Sequence, residues 1–205
     1  MTGASHLELI LASGSAARRS MLEAAGVSFR VVPADVDEAA IRRDYATNDP
    51  DGTPAGVSRV LARAKAEEVS RRYPAALVIG ADQVLELGRE IYNKPADLAD
   101  ARRALRALAG RTHRLLSAVS LAEGGRETWS CLDAASMSMR DFSDAFLDGY
   151  LARAGDRICA CVGAYEIEGL GIQLFDSIEG DYFTILGMPL LELPAELRRR
   201  GAVPG

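Results

Sequence analysis

The sequence predicts an α/β fold built on a mixed β-sheet, and three observations carry that prediction. Strand-like apolar runs alternate with helical segments along most of the chain, the pattern of helices layered on a sheet. Residues 76–81 form a short, continuous apolar run, as expected of a strand buried on both faces. Two long strand-like runs, 113–122 and 127–139, flank Glu123-Gly124-Gly125-Arg126 and read as a hairpin, so the sheet cannot be wholly parallel.

Taken in order, the pattern gives a strand over 7–12, a helix over 16–25 and a strand over 28–33, followed by an acidic stretch through Asp35, Asp37 and Glu38. Residues 44–56 carry dense turn chemistry and read as a loop. The 40–56 stretch is the expected hinge if the fold has two lobes. A helix follows over 57–72, then the buried strand 76–81. Asp97, with Asp100 three residues on, predicts a helix start, and Gly110 its end. After the hairpin, Ser143 caps a helix to about Ala154. Strand-like runs cover 157–167 and 171–178, and a last helix runs from near Leu190 to Arg200. No internal repeat, low-complexity segment or clear linker interrupts the chain, so 1–205 reads as one domain.

Composition narrows the function. The chain has 205 residues, 48% hydrophobic and 26% charged, ordinary for a soluble globular protein with a sizeable core. Its net charge of −5 argues against nucleic acid as a partner, while a local basic pocket for a small anion remains open. Three cysteines (Cys131, Cys159, Cys161) without a CxxC pair fit a reducing, cytoplasmic compartment. His6 and His113 lack the spacing for a zinc site with them. No apolar run reaches the roughly 18 residues of a membrane span, and no signal-peptide core follows the start. A membrane partner is therefore not expected.

The chemistry concentrates at a few places. In Leu7-Glu8-Leu9-Ile10-Leu11-Ala12-Ser13-Gly14-Ser15-Ala16-Ala17-Arg18-Arg19, an apolar strand breaks into a small-residue turn that opens a helix. Backbone N–H groups and the helix dipole at such a turn suit phosphate, and arginine beside it adds charge-assisted hydrogen bonds. Val57, Leu61, Lys65 and Val69 recur every fourth residue, which puts Lys65 in an apolar helical stripe. Either its stem packs while the ammonium snorkels to water, or it points inward to meet phosphate.

Asp82 closes the buried run, where α/β sheets bind ligands; it is either a magnesium or water ligand or a turn cap. Lys94-Pro95 stands just before a helix start. The dipole disfavours a cation there unless an anion is shared, and a surface lysine is the plain alternative. Asp35, Asp37 and Glu38 are either a solvated loop or the completion of a metal site with Asp82. Cys159 and Cys161 fall on one face of a predicted strand as buried, inert thiols. Ser13 and Ser15 have no neighbouring histidine, so a serine-hydrolase triad is unsupported.

Together these segments resemble the Maf family of nucleoside triphosphate pyrophosphatases, along nearly the whole chain and in the family's order. The family's Leu-Ala-Ser-x-Ser-Pro-Arg-Arg is similar to Leu11-Ala12-Ser13-Gly14-Ser15-Ala16-Ala17-Arg18. Its acidic segment corresponds to Val36-Asp37-Glu38, its helix lysine to Lys65, its Gly-Ala-Asp-Thr to Gly80-Ala81-Asp82-Gln83 and its Gly-Lys-Pro to Asn93-Lys94-Pro95. Ala109-Gly110-Arg111-Thr112-His113, Ile167-Glu168-Gly169-Leu170-Gly171 and Glu179-Gly180-Asp181-Tyr182 continue the series.

The resemblance implies an elongated mixed sheet flanked by helices, similar to inosine triphosphatases, with a cleft between two lobes. It implies hydrolysis between the α- and β-phosphates of a nucleoside triphosphate. Asp82, Glu38, Lys65 and Lys94 would be catalytic, and Ser13, Ser15, Arg18, Gln83 and Glu168 would bind substrate. Asp82 and Glu38 would hold a divalent cation, Mg²⁺ or Mn²⁺. A homodimer is an expectation of the family alone. Ala17 stands where the family has an arginine, and Arg19 lies one position along, roughly 100° around the helix. Gln83 for threonine and Glu168 for glutamine are similar to the branch that prefers 7-methyl-GTP. Two alternatives remain at this point: a non-catalytic nucleotide-binding regulator of cell division, and an enzyme selecting inosine and xanthosine triphosphates.

Overall fold

A computed structural model describes residues 7–49 and 52–204. The strands are β1 (Leu9–Leu11), β2 (Arg30–Val31), β3 (Leu77–Leu87), β4 (Glu90–Tyr92), β5 (Thr112–Glu123), β6 (Arg126–Met139) and β7 (Phe175–Glu179). The helices are α1 (Ala16–Ala24), α2 (Glu38–Asn48), α3 (Pro54–Arg72), α4 (Leu98–Leu108), α5 (Asp144–Ala154), α6 (Tyr182–Ile185) and α7 (Glu192–Arg199). The seven strands make one mixed sheet in the order β2-β1-β3-β5-β6-β7, with β4 beside β3. β1 pairs in parallel with β2 and β3, and every other pairing is antiparallel.

Side-chain caps start the helices where the sequence placed polar residues. Ser15, Asp37, Thr53, Asp97, Ser143 and Asp181 each accept a backbone N–H in the first turn of the helix that follows. The β5–β6 hairpin turns through Gly124 and Gly125, both at positive φ, as a two-residue turn matched to strand twist requires.

Strand β3 organises the cleft. Its first residues, Leu77–Ile79, pair with β1, and its last, Leu85–Leu87, pair with β4 on the same edge. β5 covers the opposite edge along Val78–Glu86. Between the β1 and β4 pairings, one edge of β3 has no strand neighbour among the described residues. Buried apolar clusters lie on both sides of this gap. One joins β3's far end to α4, β5, β6 and α5, and the other joins β1 to α1 and α7. These are the two lobes of the predicted cleft.

Several expected elements differ. The strand of 76–81 continues to Leu87, so Asp82 sits in mid-strand rather than at the strand's carboxyl end. Asp82 and Gln83 are polar because they face the cleft, which hid the strand's continuation. The 40–56 hinge is largely helical: α2 fills Glu38–Asn48 and α3 begins at Pro54, where proline suits the first helical turn. Residues 50 and 51 of that loop, like His6, lie outside the described residues. Helix α2 buries no residue completely and shows only a weak stripe, Ile41 and Tyr45, against α3.

The expected strand 157–167 is instead a 3-10 turn, Gly155–Ala160, followed by irregular chain. The expected strand 171–178 is a second 3-10 turn, Leu170–Leu174, leading into β7. Glycines at 155, 163, 169 and 171 break the extended backbone that the apolar alternation suggested. Cys159 and Cys161 therefore do not share a strand face, and both are half-buried rather than buried.

Candidate functional site

Alternation along β3 sets the site. Gly80 and Asp82 share one face, toward α3; Ala81 and Gln83 share the other, toward α1 and α6. A Cβ on Gly80 would lie 2.2 Å from the Ala62 carbonyl oxygen and 2.6 Å from the Ala66 nitrogen, so only glycine lets α3 lie this close to the sheet. That approach delivers Lys65 to Asp82. Lys65 Nζ is 2.7 Å from Asp82 Oδ1 and 2.8 Å from Glu38 Oε1. Lys65 thus points inward onto these two carboxylates rather than snorkelling to water. The side chains of Lys65 and Asp82 are 12% and 8% exposed, so water screens their pairing weakly. Glu38 sits at the more open end.

Two atoms stand out electrostatically. Asp82 Oδ2 is buried without a hydrogen-bond partner among the described residues. A carboxylate oxygen in that state is unusual and suits a ligand, a water or a cation. For Glu38, partial burial raises the carboxyl pKa. The hydrogen bond and charge of Lys65, with Arg42 and Lys94, outweigh burial and hold the group below the ordinary carboxylate range. Glu38 therefore stays ionised.

Arg18 fills the gap on β3's edge. Ile79 O accepts the Ala12 N–H from the β1 side at 2.7 Å. The carbonyl two residues on, Ala81 O, faces the same edge but meets no strand, and Arg18 Nη1 donates to it at 2.9 Å. The same nitrogen lies 3.2 Å from Ser13 Oγ, and Nε donates to Gly187 O at 2.9 Å. Burial lowers the guanidinium pKa, with Asp82 and Glu38 working the other way. Ser13 Oγ also accepts the Ser15 N–H at 3.3 Å, and Ser15 Oγ caps α1 through the Arg18 N–H at 3.4 Å. Gln83 turns its amide to α6, with Nε2 2.9 Å from Ile185 O.

The nine residues expected to be catalytic, substrate-binding or metal-binding, Ser13, Ser15, Arg18, Glu38, Lys65, Asp82, Gln83, Lys94 and Glu168, line one cleft of about 900 Å³. That volume suits a nucleotide-sized ligand. Lys94 and Glu168 are exposed on its walls. Asp35 and Asp37 are not among the lining residues; Asp37 caps α2. Arg42 was missed. Once Glu38 is helical, the interval of four puts Arg42 on the same helical face, and both line the cleft.

The far wall is built differently. It runs through Cys161–Glu168 on irregular backbone, where Ala164 adopts φ +56°. Tyr150 Oη donates to Ala164 O at 3.1 Å, and Arg157 pairs with Glu166 at 3.1 Å. Tyr165 Oη lies 2.7 Å from Nε2 of buried His113, whose Nδ1 has no partner among the described residues. Burial pushes the His113 pKa down to about 4. Cys161 also lines this wall. Burial, then the nearby Glu166 and Glu168, push its thiol up to about 11, which disfavours the thiolate at neutral pH.

No group of three or more His, Cys, Asp or Glu side chains among the described residues is arranged to hold a metal. A hard divalent cation binds through one or two carboxylates together with phosphate oxygens and water. The unpartnered Asp82 Oδ2, with ionised Glu38 across Lys65, fits that coordination. Among the described residues, no helix is long and apolar enough to cross a membrane.

Comparison with known proteins gives a consistent set. The family model described as Maf-like protein matches residues 8–200. A protein of Mesorhizobium japonicum named 7-methyl-GTP pyrophosphatase is 52% identical over 198 residues, covering 97% of this chain and 98% of its own. One from Brucella abortus with the same name is 47% identical over 199 residues, covering 97% and 99%. One from Paramagnetospirillum magneticum named nucleoside triphosphate pyrophosphatase is 52% identical over 192 residues, covering 94% and 98%.

Proposed function

This chain belongs to the Maf family, and from that premise we propose that it hydrolyses the α–β phosphoanhydride of nucleoside triphosphates, releasing a nucleoside monophosphate and pyrophosphate. The observation that carries the proposal is the Lys65 ammonium held between Asp82 and Glu38, with Asp82 Oδ2 buried beside it and without a hydrogen-bond partner among the described residues.

Ser13, the amino end of α1, Lys65 and Lys94 hold the phosphates. Their positive charge and donors offset the negative charge that builds up as the anhydride breaks. Arg18 adds Nη2, since Nε and Nη1 are already bonded within the protein. Lys65 keeps Asp82 in place through Oδ1, which leaves Oδ2 to orient a water. Asp82 and Glu38 would hold a divalent Mg²⁺ or Mn²⁺. Such an ion, when bound, neutralises phosphate charge and acts as a Lewis acid.

The preferred substrate is 7-methyl-GTP. Relatives of that name support this, as does Glu168, whose carboxylate on the far wall suits a cationic methylated purine.

A panel of 7-methyl-GTP, GTP, dTTP, UTP, ITP and XTP, with and without Mg²⁺ or Mn²⁺, tests both parts. The expected result is metal-dependent release of monophosphate and pyrophosphate in equal amounts, fastest with 7-methyl-GTP. Equal turnover of 7-methyl-GTP and dTTP removes the base preference. Tight binding without turnover favours a regulator, and ITP and XTP as best substrates favour the inosine-type reading.

A further inference from the structure

We infer that Gln83 is a positioning residue that acts on the phosphates through Arg18 and does not read the base. The inference rests on the pyrophosphatase reading above.

The amide's surroundings determine which way it faces. Gln83 Nε2 lies 2.9 Å from Ile185 O, 3.1 Å from Thr184 O and 3.0 Å from Ser117 Oγ. The two carbonyls can only accept. Ser117 donates its hydroxyl proton to Thr184 O at 2.7 Å, so toward Gln83 it too is an acceptor. Three acceptors therefore face the amide, and only the –NH₂ end satisfies them. That end has two hydrogens for three acceptors and none to spare for a nucleotide.

The segment it grips leads to Arg18. Thr184 is held from the other side by Asp133, whose Oδ2 accepts its hydroxyl at 2.8 Å, and by Asp181, whose Oδ2 accepts its N–H at 2.8 Å. The Gly187 N–H donates to Thr184 O at 3.1 Å, and Gly187 O then accepts Arg18 Nε. Gly187 has φ +104°. A Cβ there would lie 3.5 Å from the Arg18 guanidinium and 3.7 Å from Gln83 Oε1, so the two side chains meet on this one residue. Arg18 goes on to Ser13 in the phosphate turn. Gln83 thus sets the carbonyl that sets the guanidinium.

The test uses the full chain, with Gln83→Ala and Gln83→Glu. kcat/KM is measured for 7-methyl-GTP, GTP and dTTP, and the affinity for inorganic tripolyphosphate, which has no base, is measured by calorimetry. The expected result for Gln83→Ala is a loss of about tenfold or more that is uniform across nucleotides, with a matching loss for tripolyphosphate. Gln83→Glu keeps an acceptor at Oε1 but turns a second carboxylate oxygen on three acceptors, so it should be worse than alanine. In an Arg18→Ala background, Gln83→Ala should cost less than about twofold in tripolyphosphate affinity, because coupled residues are not additive.

A changed 7-methyl-GTP to dTTP ratio with tripolyphosphate affinity intact overturns the inference, as does rescue by glutamate or additivity with Arg18→Ala. A lowered melting temperature with unchanged kinetics of the folded protein overturns it too. If the unmutated protein releases no pyrophosphate from any nucleotide, the pyrophosphatase reading fails, while the tripolyphosphate arm still decides the role of Gln83.

Discussion

The two ends of the cleft are built on opposite plans. The Asp82 end rests on regular elements: a central strand, the amino end of α1 and a long helix brought within backbone contact by Gly80. There Lys65 pairs with both Asp82 and Glu38, while Arg18 is held by the Ala81 and Gly187 carbonyls and Ser13. The Cys161–Glu168 end rests on irregular chain between two 3-10 turns, pinned by single contacts to Tyr150, Arg157 and His113. Phosphate chemistry needs charges fixed before substrate arrives, and strands and helices fix them best. A wall that distinguishes bases can vary on a loop without disturbing that chemistry.

Lys65→Met should have the largest effect, because it strips the Asp82 end of its shared cation. Buried Asp82 would lose its one side-chain partner, costing about 3 kcal/mol of stability, and turnover should fall by about 10²-fold or more on every nucleotide alike. Thermal unfolding and kcat/KM on two different bases check both figures. A loss confined to one base would mean that the two ends are not separable. Glu168→Gln should do the reverse. We expect the 7-methyl-GTP to dTTP ratio to fall by about tenfold, with tripolyphosphate affinity unchanged.

The smallest expected effect separates the ends by pH. The folded pKa of His113 is depressed from 6.5 to about 4. As pH falls below 6.5 the unfolded chain takes up a proton that the folded one refuses. Stability present above 6.5 is therefore lost progressively as pH falls toward 4. Glu38 is depressed as well, so its contribution is present above the unfolded carboxylate value and is lost only as pH falls through its lower folded value. Hydrogen exchange at pH 5 should accordingly show protection lost around Tyr165 before it is lost around Asp82, and His113→Gln should flatten the dependence. Simultaneous loss at both ends would break the comparison.

The same contrast decided what could be read in the sequence. The Asp82 end was legible because its determinants are local: a strand breaking into Ser13-Gly14-Ser15, a lysine in an apolar stripe, an acid closing a buried run. The nine residues named from the motifs all line the cleft. The far end was misread as strand because apolar alternation over 157–167 resembles a strand until glycines and a positive φ at Ala164 bend it. Helix α2 was missed because it buries nothing fully, and Arg42 was missed with it. The position of Gln83 was legible but its partners were not, since Thr184 and Ile185 lie about a hundred residues away and only the fold brings them to β3.

The most direct test of the central claim is a comparison of the unmutated protein with Asp82→Asn, following both products of 7-methyl-GTP by mass and tripolyphosphate affinity by calorimetry. The unmutated protein should release 7-methyl-GMP and pyrophosphate. Turnover should fall by about 10²-fold or more in the variant while tripolyphosphate still binds. Hydrolysis by Asp82→Asn at the unmutated rate, or release of a diphosphate and inorganic phosphate by either protein, would contradict it.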